Sequence, residues 1–362
     1  MAEWERALRT TIADYVRGEE INVMRNRKWL ALLMDRGRIT FNHEGLKLHW
    51  KTRYREAPIN GYGDGQTLVF ARQNRHKDAE LDWRGYYAAD SITKKERLMN
   101  RGKAAIVKVF SELPQILMQE MKNQFSTELY KDGNASGNEL LIHGIESFMG
   151  DDGSVSTTQP ITDASDTYAG LSTVLGNYGG TWTGNWPEGT GDAAYDFWSP
   201  LLIDYESAVA ATSGGWSSST KTWPNTCTEA IAYAVLYGQK NRGMDDQLDL
   251  ICLEARLFRE YKEANRGKER IQVNSASKLV KLGFNDVINQ DGIDITTEYG
   301  VPATVGYGLN MDQMELMSLQ PTLFVPTGPI YDEDTKSWKF DLDFLGNAQF
   351  NPRSFVKFDD YT

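Results

Sequence analysis

The stretch that most constrains the fold covers residues 92–130, where large apolar side chains recur every three or four positions. This spacing places them on one face of a helix, with Lys103, Lys108, Glu112, Glu120, Lys122 and Glu128 among the remaining positions. The apolar positions are Ile106, Val109, Phe110, Leu113, Leu117, Met121, Phe125 and Leu129. A single helix of this length would span roughly 60 Å, which is more than a compact core needs. The segment therefore predicts a spine helix in a flat or elongated molecule.

Pro114 lies inside this apolar pattern. Because proline has no amide hydrogen for the carbonyl four residues earlier, we expect a kink at Pro114 or two abutting helices. Taken alone, the pattern is also typical of a core helix in an ordinary enzyme.

Charge is distributed unevenly along the chain. Residues 1–108 hold 22 Lys and Arg against 14 Asp and Glu (+8), and residues 109–362 hold 17 against 36 (-19), which together give -11. Specific nucleic-acid binding usually needs a concentrated basic face with aromatic or groove-binding signatures, and the sequence shows neither. The asymmetry favours pairing between the basic part of one subunit and the acidic part of a neighbour, and leaves loose contact with nucleic acid open.

Length and composition indicate a globular protein of two domains, since 362 residues with 40% hydrophobic content can bury a large core. The chain has no run of 18 apolar residues and a charged N-terminus, so we expect no membrane span, no export and a cytoplasmic protein. Cys227 and Cys252 lack C-x-x-C spacing. Both are therefore expected to be buried thiols rather than disulfide partners or zinc ligands.

Residues 21–34 form a basic amphipathic segment. Its apolar residues Trp29, Leu30, Leu32 and Leu33 stand among Arg25, Arg27, Lys28, Arg36 and Arg38. Such a helix can dock on a partner subunit, or it can fold back onto its own domain. We take Trp29 and Arg36 as candidate interface residues, with both interpretations open.

The period changes to two over residues 46–83. There Leu46, Leu48 and Trp50 alternate with Lys47, His49 and Lys51, and a glycine-rich tip at 60–65 separates two strands. A charged two-stranded arm with few apolar residues on either face cannot bury itself against its own core, so it needs a neighbour. The candidate interface residues of this arm are Lys51, Arg53, Tyr62, Arg72 and Arg75.

The middle of the chain contains two contrasting parts. Residues 150–226 are rich in Gly, Ser and Thr and include Trp182, Trp186, Trp198, Trp216 and Trp223. Exposed tryptophans could stack on sugar rings in a glycan-binding module, or the aromatics could cover an irregular insertion. Residues 227–306 return to regular elements and predict a mixed α/β unit: a helix from 227 with Ile231, Val235 and Leu236 inward, a strand at 248–253 and a helix at 255–264.

The chain closes in β structure, with two alternating strands around a turn at 332–335 and a last strand containing Phe355, Val356 and Phe358. We find no catalytic signature. The four histidines lack metal-ligand spacing, and the chain has no G-x-S-x-G motif and no Walker lysine. These observations favour a structural protein that is not an enzyme and needs no cofactor or metal.

The order of elements resembles the Hong Kong 97-type fold of tailed-bacteriophage major capsid proteins. An N-terminal arm, a charged hairpin, a long helix, an inserted α/β unit and a returning β segment cover nearly the whole chain. The segments that carry the resemblance are 92–130, 140–148 (LLIHGIESF), 168–171 (YAGL), 248–264 (LDLICLEARLFREYKEA), 283–316 and 345–358 (LGNAQFNPRSFVKF).

The resemblance implies an α+β capsid fold in four parts. These are an N-terminal arm (1–45), an extended loop (46–90), a peripheral domain (91–144 and 307–362) with the spine helix, and an axial domain (145–306) with the Trp/Gly-rich insertion. It implies a structural protein that forms pentamers and hexamers of an icosahedral shell around phage double-stranded DNA, after assembly in the host cytoplasm. Scaffolding and portal proteins are the expected partners, together with non-specific contact with packaged DNA and a possible decoration protein. An encapsulin-type nanocompartment shell is the alternative, with a glycan-binding module behind it.

Overall fold

The computed structural model describes residues 27–57, 59–68, 70, 72–99, 116–121, 123–238, 247–266, 277–284, 286–290 and 292–361. The helices are α1 (Lys28–Asp35), α2 (Lys94–Met99), α3 (116–121 and 123–128), α4 (Trp223–Gly238), α5 (Ala255–Asn265) and α6 (Lys278–Lys281). Single turns of 3₁₀ helix lie at Ile145–Phe148, Ala211–Ser213, Met311–Gln313 and Pro352–Ser354. Few helices among many strands confirm the predicted α+β class.

The strands before α4 are β1 (Ile39–Thr40), β2 (Leu48–Arg53), β3 (His76–Leu81), β4 (Arg84–Thr93), β5 (Asp151–Val155), β6 (Ile161–Ala164), β7 (Thr167–Tyr168), β8 (Leu171–Ser172), β9 (Trp182–Thr183), β10 (Thr190–Gly191) and β11 (Leu201–Asp204). The later strands are β12 (Leu250–Leu253), β13 (Val287–Gln290), β14 (Ile293–Thr297), β15 (Gly306–Leu309), β16 (Met314–Ser318), β17 (Val325–Asp332), β18 (Ser337–Phe350) and β19 (Val356–Asp359).

A five-stranded sheet is built around the long strand β18. This strand pairs with β16, β17 and β4, and β1 adds to β16 in parallel. Along β18, Phe340, Leu342 and Phe344 point inward and are buried, because residues two apart share one face of a strand. Phe125 of α3 covers that inner face, with its ring centroid 5.2 Å from that of Phe344. The predicted turn at 332–335 joins β17 to β18.

An eight-stranded sheet forms the second unit, in the order β13-β14-β12-β15-β19-β11-β6-β5. All four residues of β12 are buried in the centre of this sheet. The C-terminal strand β19 lies between β15 and β11, so the chain returns from the five-stranded sheet to finish in the eight-stranded one. The domain boundaries inferred from the sequence stay predictions.

The predicted spine helix is corrected at its start. Ile92 and Thr93 belong to β4 and pair with Trp338 and Ser337, so the helical segment begins at Lys94. Residues 100–115 lie outside the described ranges, and the expected kink at Pro114 stays a prediction. In α3 and the turn that follows it, the apolar positions Leu117, Met121, Phe125 and Leu129 are buried, as their spacing predicts.

Gly144 explains how the chain turns beneath the end of α3. A Cβ atom at this position would stand 2.5 Å from the carbonyl oxygens of Glu128, Leu129 and Lys131. Only glycine permits this approach, which lets the Ile145 amide donate to the Leu129 carbonyl at 2.8 Å. The close contact fixes the segment 140–148 against the helix.

The remaining predictions for the central region have mixed outcomes. Helices α4 and α5 occupy the predicted positions, and Ile231 is buried. Leu236 is exposed, so its inward assignment is wrong; α4 packs against α5 and β11 on the opposite side. Cys227 and Cys252 are buried free thiols, as expected. Within the described ranges, no helix is both long and apolar enough to cross a membrane.

Candidate subunit-interface surfaces

The arm is a true hairpin at its base. β2 and β3 pair from Leu48 with Leu81 to Arg53 with His76. Leu48, Ala79 and Leu81 are buried, and the Glu80 amide donates to the Ala169 carbonyl at 3.1 Å. The expectation that the whole arm lacks a core of its own is therefore wrong for its base, because apolar residues at every second position form one inward face.

An aromatic cluster fixes the direction in which the arm leaves the body. The Tyr54 ring centroid lies 5.8 Å from that of Phe197 and 6.4 Å from that of Tyr178. Lys77 Nζ lies 5.3 Å from the centre of the Tyr54 ring, within the range of a cation–π contact. The arm is thus anchored just before its strands stop pairing.

The arm tip, residues 54–75, carries several highly exposed large apolar side chains. Beyond the last strand pair, Ile59 is 96% exposed, Phe70 is 92% exposed and Tyr62 is 77% exposed. Large exposed apolar side chains on a protrusion are typical of an interaction site. The tip is therefore the strongest candidate for a contact with another subunit.

The basic residues predicted for the arm lie along it. Lys51, Arg53 and Arg72 are exposed, and Arg75 is half-buried. Lys51 and Arg53 also line a cleft of about 240 Å³ together with Asp312 and Glu315 of the body. Their contact with a neighbouring subunit stays a prediction.

Helix α1 folds onto its own chain. Trp29 is 1% exposed, its ring centroid lies 5.1 Å from that of Tyr130, and its Nε1 donates to Met314 Sδ at 3.0 Å. The Arg36 guanidinium bonds to the carboxylates of Asp249 and Asp312. Of the two interpretations, the folded-back one holds for the described residues from 27 onward, and we withdraw Trp29 and Arg36 as interface residues.

We expect Trp29→Ala to lower the free energy of unfolding by about 3–5 kcal/mol, because it removes a fully buried indole and its ring contacts. Chemical denaturation of the unassembled subunit measures this loss, with the exposed Lys47→Ala as control. A loss below about 1 kcal/mol would mean that α1 does not dock on its own subunit in solution.

The tryptophan-rich segment packs inward. Trp198, Trp216 and Trp223 are buried, and their indole nitrogens donate to the carbonyls of Tyr168, Asp204 and Leu257 at 3.2, 3.0 and 2.9 Å. These rings stabilise an irregular region where regular elements are sparse. Of the two interpretations of the tryptophans, the one in which they cover an irregular insertion holds for these three side chains, which are not exposed for stacking on sugars.

Ionisable groups in the interior act structurally. Burial lowers the pKa of His143 to about 4, so the ring is neutral and contacts the Asn347 side chain. Lys357 Nζ lies 3.1 Å from a Glu146 carboxylate oxygen and 3.2 Å from Asp359 Oδ2. Within the described parts of the chain, no group of three or more His, Cys, Asp or Glu side chains is placed to hold a metal ion.

Asp204 is a buried carboxyl group at the end of β11, beside Asp359 of β19. Burial, followed by the nearby Asp360 charge, raises its pKa from 3.8 to about 6. The carboxyl group of Asp204 therefore binds its proton more tightly in the folded state than in the unfolded chain. Its ionised form lowers the free energy of unfolding above pH 6, and this loss disappears as the pH falls towards 4.

We expect Asp204→Asn to change the free energy of unfolding by about 2–3 kcal/mol more favourably at pH 7.5 than at pH 4. The reason is that the substitution removes a buried charge that is present only at the higher pH. Denaturation of both proteins from pH 4 to pH 8 measures the difference. Parallel stability curves for the two proteins would show that Asp204 does not titrate in this way.

Comparisons with known proteins identify the fold. No protein-family model matches the sequence, and a search of curated proteins gave no match. Among solved structures, the cyanophage A-1(L) capsid asymmetric unit matches with a TM-score of 0.58 at 15% identity, over 90% of each chain. The chain has the Hong Kong 97-type capsid fold.

Two GTA-particle capsids share the Hong Kong 97-type fold with this chain. The capsid of the empty particle aligns over 90% of this chain and 96% of its own, with 8% identity and a TM-score of 0.51. The native particle's capsid aligns over 90% and 89%, also with 8% identity, and has a TM-score of 0.50. The predicted recognition of this fold from element order is therefore confirmed.

Proposed function

We propose that this protein is the major capsid protein of a tailed bacteriophage and assembles as pentamers and hexamers into an icosahedral shell around double-stranded DNA. The observation that carries the proposal is the shared fold over nine tenths of both this chain and a cyanophage capsid subunit. The exposed apolar arm tip supports it, because such a surface needs a second subunit to cover it. The role is structural rather than enzymatic.

In the proposed shell, residues 46–90 are the extended loop and residues 1–45 are the N-terminal arm. Strands β16, β17 and β18 of the five-stranded sheet belong to the peripheral domain (91–144 and 307–362), whereas β1 lies in the proposed N-terminal arm and most of β4 in the proposed extended loop. Most of the eight-stranded sheet belongs to the axial domain (145–306) around the fivefold and quasi-sixfold axes. Lys51, Arg53, Tyr62, Arg72 and Arg75 remain the proposed interface residues of the loop.

Electrostatics support enclosure of DNA without tight binding. The acidic balance of residues 109–362 limits adhesion to packed DNA, whereas the basic first third can bridge subunits. The proposed partners are further copies of the chain, scaffolding and portal proteins, packaged DNA through non-specific contact, and possible decoration proteins. The protein would assemble in the bacterial cytoplasm and end in the virion capsid.

An encapsulin-type shell around cargo enzymes remains the alternative, since it would use the same fold. Portal and terminase genes beside the gene for this chain would argue for the phage shell. Nuclease-protected DNA in purified particles would do the same, whereas particles that hold an enzyme and no DNA would favour the encapsulin.

The proposal is tested by sedimentation of the full chain, expressed alone and with the scaffolding protein. We expect particles of megadalton mass under at least one of these conditions. Monodisperse monomers under every condition would contradict the proposal.

A further inference from the structure

A cleft of about 640 Å³ lies at the β5 edge of the eight-stranded sheet. Strands β5 and β6 and the loop that joins them form one wall. The other wall comes from the insertion loops, which we define as residues 174–195. The volume falls within the range of about 300–1,000 Å³ that is typical of small-molecule sites.

The strand side of this cleft is polar and carries negative charge. The carboxylates of Asp152 and Asp163 line it, together with serine and threonine hydroxyls from positions 154 to 165. The Asn185 amide group faces them from the insertion loops. Among the described residues that line the cleft there is no Lys, Arg or His. The lining therefore suits a ligand that donates hydrogen bonds and has no negative charge of its own, which excludes phosphates and nucleic acid.

The two carboxylates are placed to accept hydrogen bonds from one ligand. The Ser154 amide donates to Asp152 Oδ1 at 2.9 Å and holds this side chain in position. Asp163 stands on the neighbouring strand, and partial burial, followed by the charge of Asp152, raises its pKa. Hydroxyl donors between Asp152 and Asp163 would stabilise both ionised groups.

Trp186 adds an aromatic ring and an unused hydrogen-bond donor. The side chain lines the cleft and is 9% exposed, and its buried indole nitrogen has no hydrogen-bond partner within the described residues. The indole nitrogens of Trp198, Trp216 and Trp223, in contrast, all donate to carbonyls. Buried donors without a partner are rare, because each one costs free energy. The Trp186 nitrogen is shielded from solvent, so the ring must shift slightly for a ligand oxygen to supply the acceptor.

The insertion loops complete an apolar side. Tyr195, Leu175 and the exposed Val174 line the cleft next to Trp186. The Gly176 amide donates to the Tyr195 carbonyl at 2.8 Å, which fixes the backbone of this wall. The cleft thus offers aromatic and aliphatic surface on one side and oxygen acceptors on the other. A sugar ring has the matching chemistry, with C–H groups on its faces and hydroxyl groups around its edge.

We propose that this cleft binds a short neutral saccharide. The sugar ring packs against Trp186 and Tyr195, and one of its oxygens accepts from the Trp186 indole. Its hydroxyl groups donate to the carboxylates of Asp152 and Asp163. Such a site goes beyond the proposed shell function, because it needs only the folded subunit.

Calorimetric titration of the unassembled full chain tests this site. The probes are maltose, cellobiose, lactose and N,N′-diacetylchitobiose. We expect at least one of them to bind with a Kd of about 1 mM or lower. The linear polyol sorbitol has hydroxyl groups but no ring, and it should bind at least about 10-fold more weakly than that sugar.

Two near-isosteric variants locate the binding. Asp152→Asn combined with Asp163→Asn should weaken the sugar at least about 10-fold, because it replaces charged acceptors by neutral amides. Trp186→Phe keeps an aromatic ring, loses the indole N–H and should weaken the sugar at least about threefold. Asp334→Asn makes the same carboxylate-to-amide change in the exposed β17–β18 turn, outside the cleft, and should leave the affinity unchanged. Circular dichroism checks that every variant folds.

Three results would overturn the saccharide site. The first is a Kd above about 10 mM for every sugar. The second is an unchanged affinity in either cleft variant. The third is binding of Ca²⁺ alone that the double Asn variant abolishes, with no sugar bound, which would identify a cation site. None of these results affects the proposed shell function, because every titration uses unassembled subunits.

Discussion

Replacing residues 57–72 by a short Gly-Ser turn is expected to abolish shell assembly while the subunit remains folded. The replaced segment lies beyond the β2–β3 pairs, and its large apolar side chains at Ile59, Tyr62 and Phe70 are exposed in the isolated subunit. The buried base of the hairpin and the Tyr54 cluster stay intact. We expect the yield of shells to fall at least about 100-fold, because several apolar side chains of the proposed interface disappear together.

Sedimentation measures the assembled fraction, and thermal unfolding of the free subunit checks that the body is unchanged. The control is Leu140→Ser, which removes an exposed apolar side chain elsewhere on the surface. Shells of normal yield from the shortened chain would show that the arm tip is dispensable. Loss of assembly in the control as well would show that the assay responds to any change in surface polarity.

Tyr168→Ala is expected to destabilise the subunit by about 4 kcal/mol, because Tyr168 joins three parts of the molecule in one buried cluster. Its ring centroid lies 5.3 Å from that of Phe148, 6.2 Å from Phe350 and 6.4 Å from Trp50 of the arm. Its hydroxyl donates to the Ala348 carbonyl at 3.0 Å and accepts from the Phe350 amide at 3.2 Å.

The conservative variant Tyr168→Phe separates packing from hydrogen bonding. It keeps the ring and removes the hydroxyl, so we expect a loss of about 1–2 kcal/mol. Chemical denaturation of the unassembled subunits measures both variants. Equal losses for the two variants would contradict a mainly packing role for this ring.

Local periodicity in the sequence predicts much of the fold. The alternation in β2 and around the turn at 332–335 gives the correct pairing, because one face of each strand meets a core. The 3.6-residue spacing identifies the inward face of α3 through Leu117, Met121 and Phe125. Element order then predicts the fold class, although this chain is only 15% identical to the cyanophage capsid subunit and 8% identical to the native GTA-particle capsid.

Contacts between distant segments are what the sequence pattern could not determine. The amphipathic pattern around Trp29 is the same whether the helix packs on a neighbouring subunit or on its own chain. Only the contacts of Trp29 with Tyr130 and Met314 show that it packs on its own chain. The sequence around Ile92 is compatible with either a helix or a strand. Its pairing with Trp338 shows that it belongs to a strand. The burial of Trp198 likewise depends on Tyr168, 30 positions earlier in the chain.

The face of β18 opposite its buried phenylalanines also has a signal in the sequence. Asp341 and Asp343 alternate with Phe340, Leu342 and Phe344, which is typical of a strand with one buried and one open face. The carboxylates of Asp341 and Asp343, which form no ion pair within the described ranges, are seen to lie near the exposed Tyr87 only when β4 is placed next to β18. Register between strands far apart in sequence supplies this information.

Electron cryomicroscopy of particles formed by the full chain with its scaffolding protein tests the central claim most directly. We predict closed icosahedral shells of pentamers and hexamers, in which density for residues 54–75 lies on an adjacent subunit. Monomers or irregular aggregates under all conditions would contradict the capsid function. Closed shells in which the arm tip contacts only its own subunit would contradict the role assigned here to the arm.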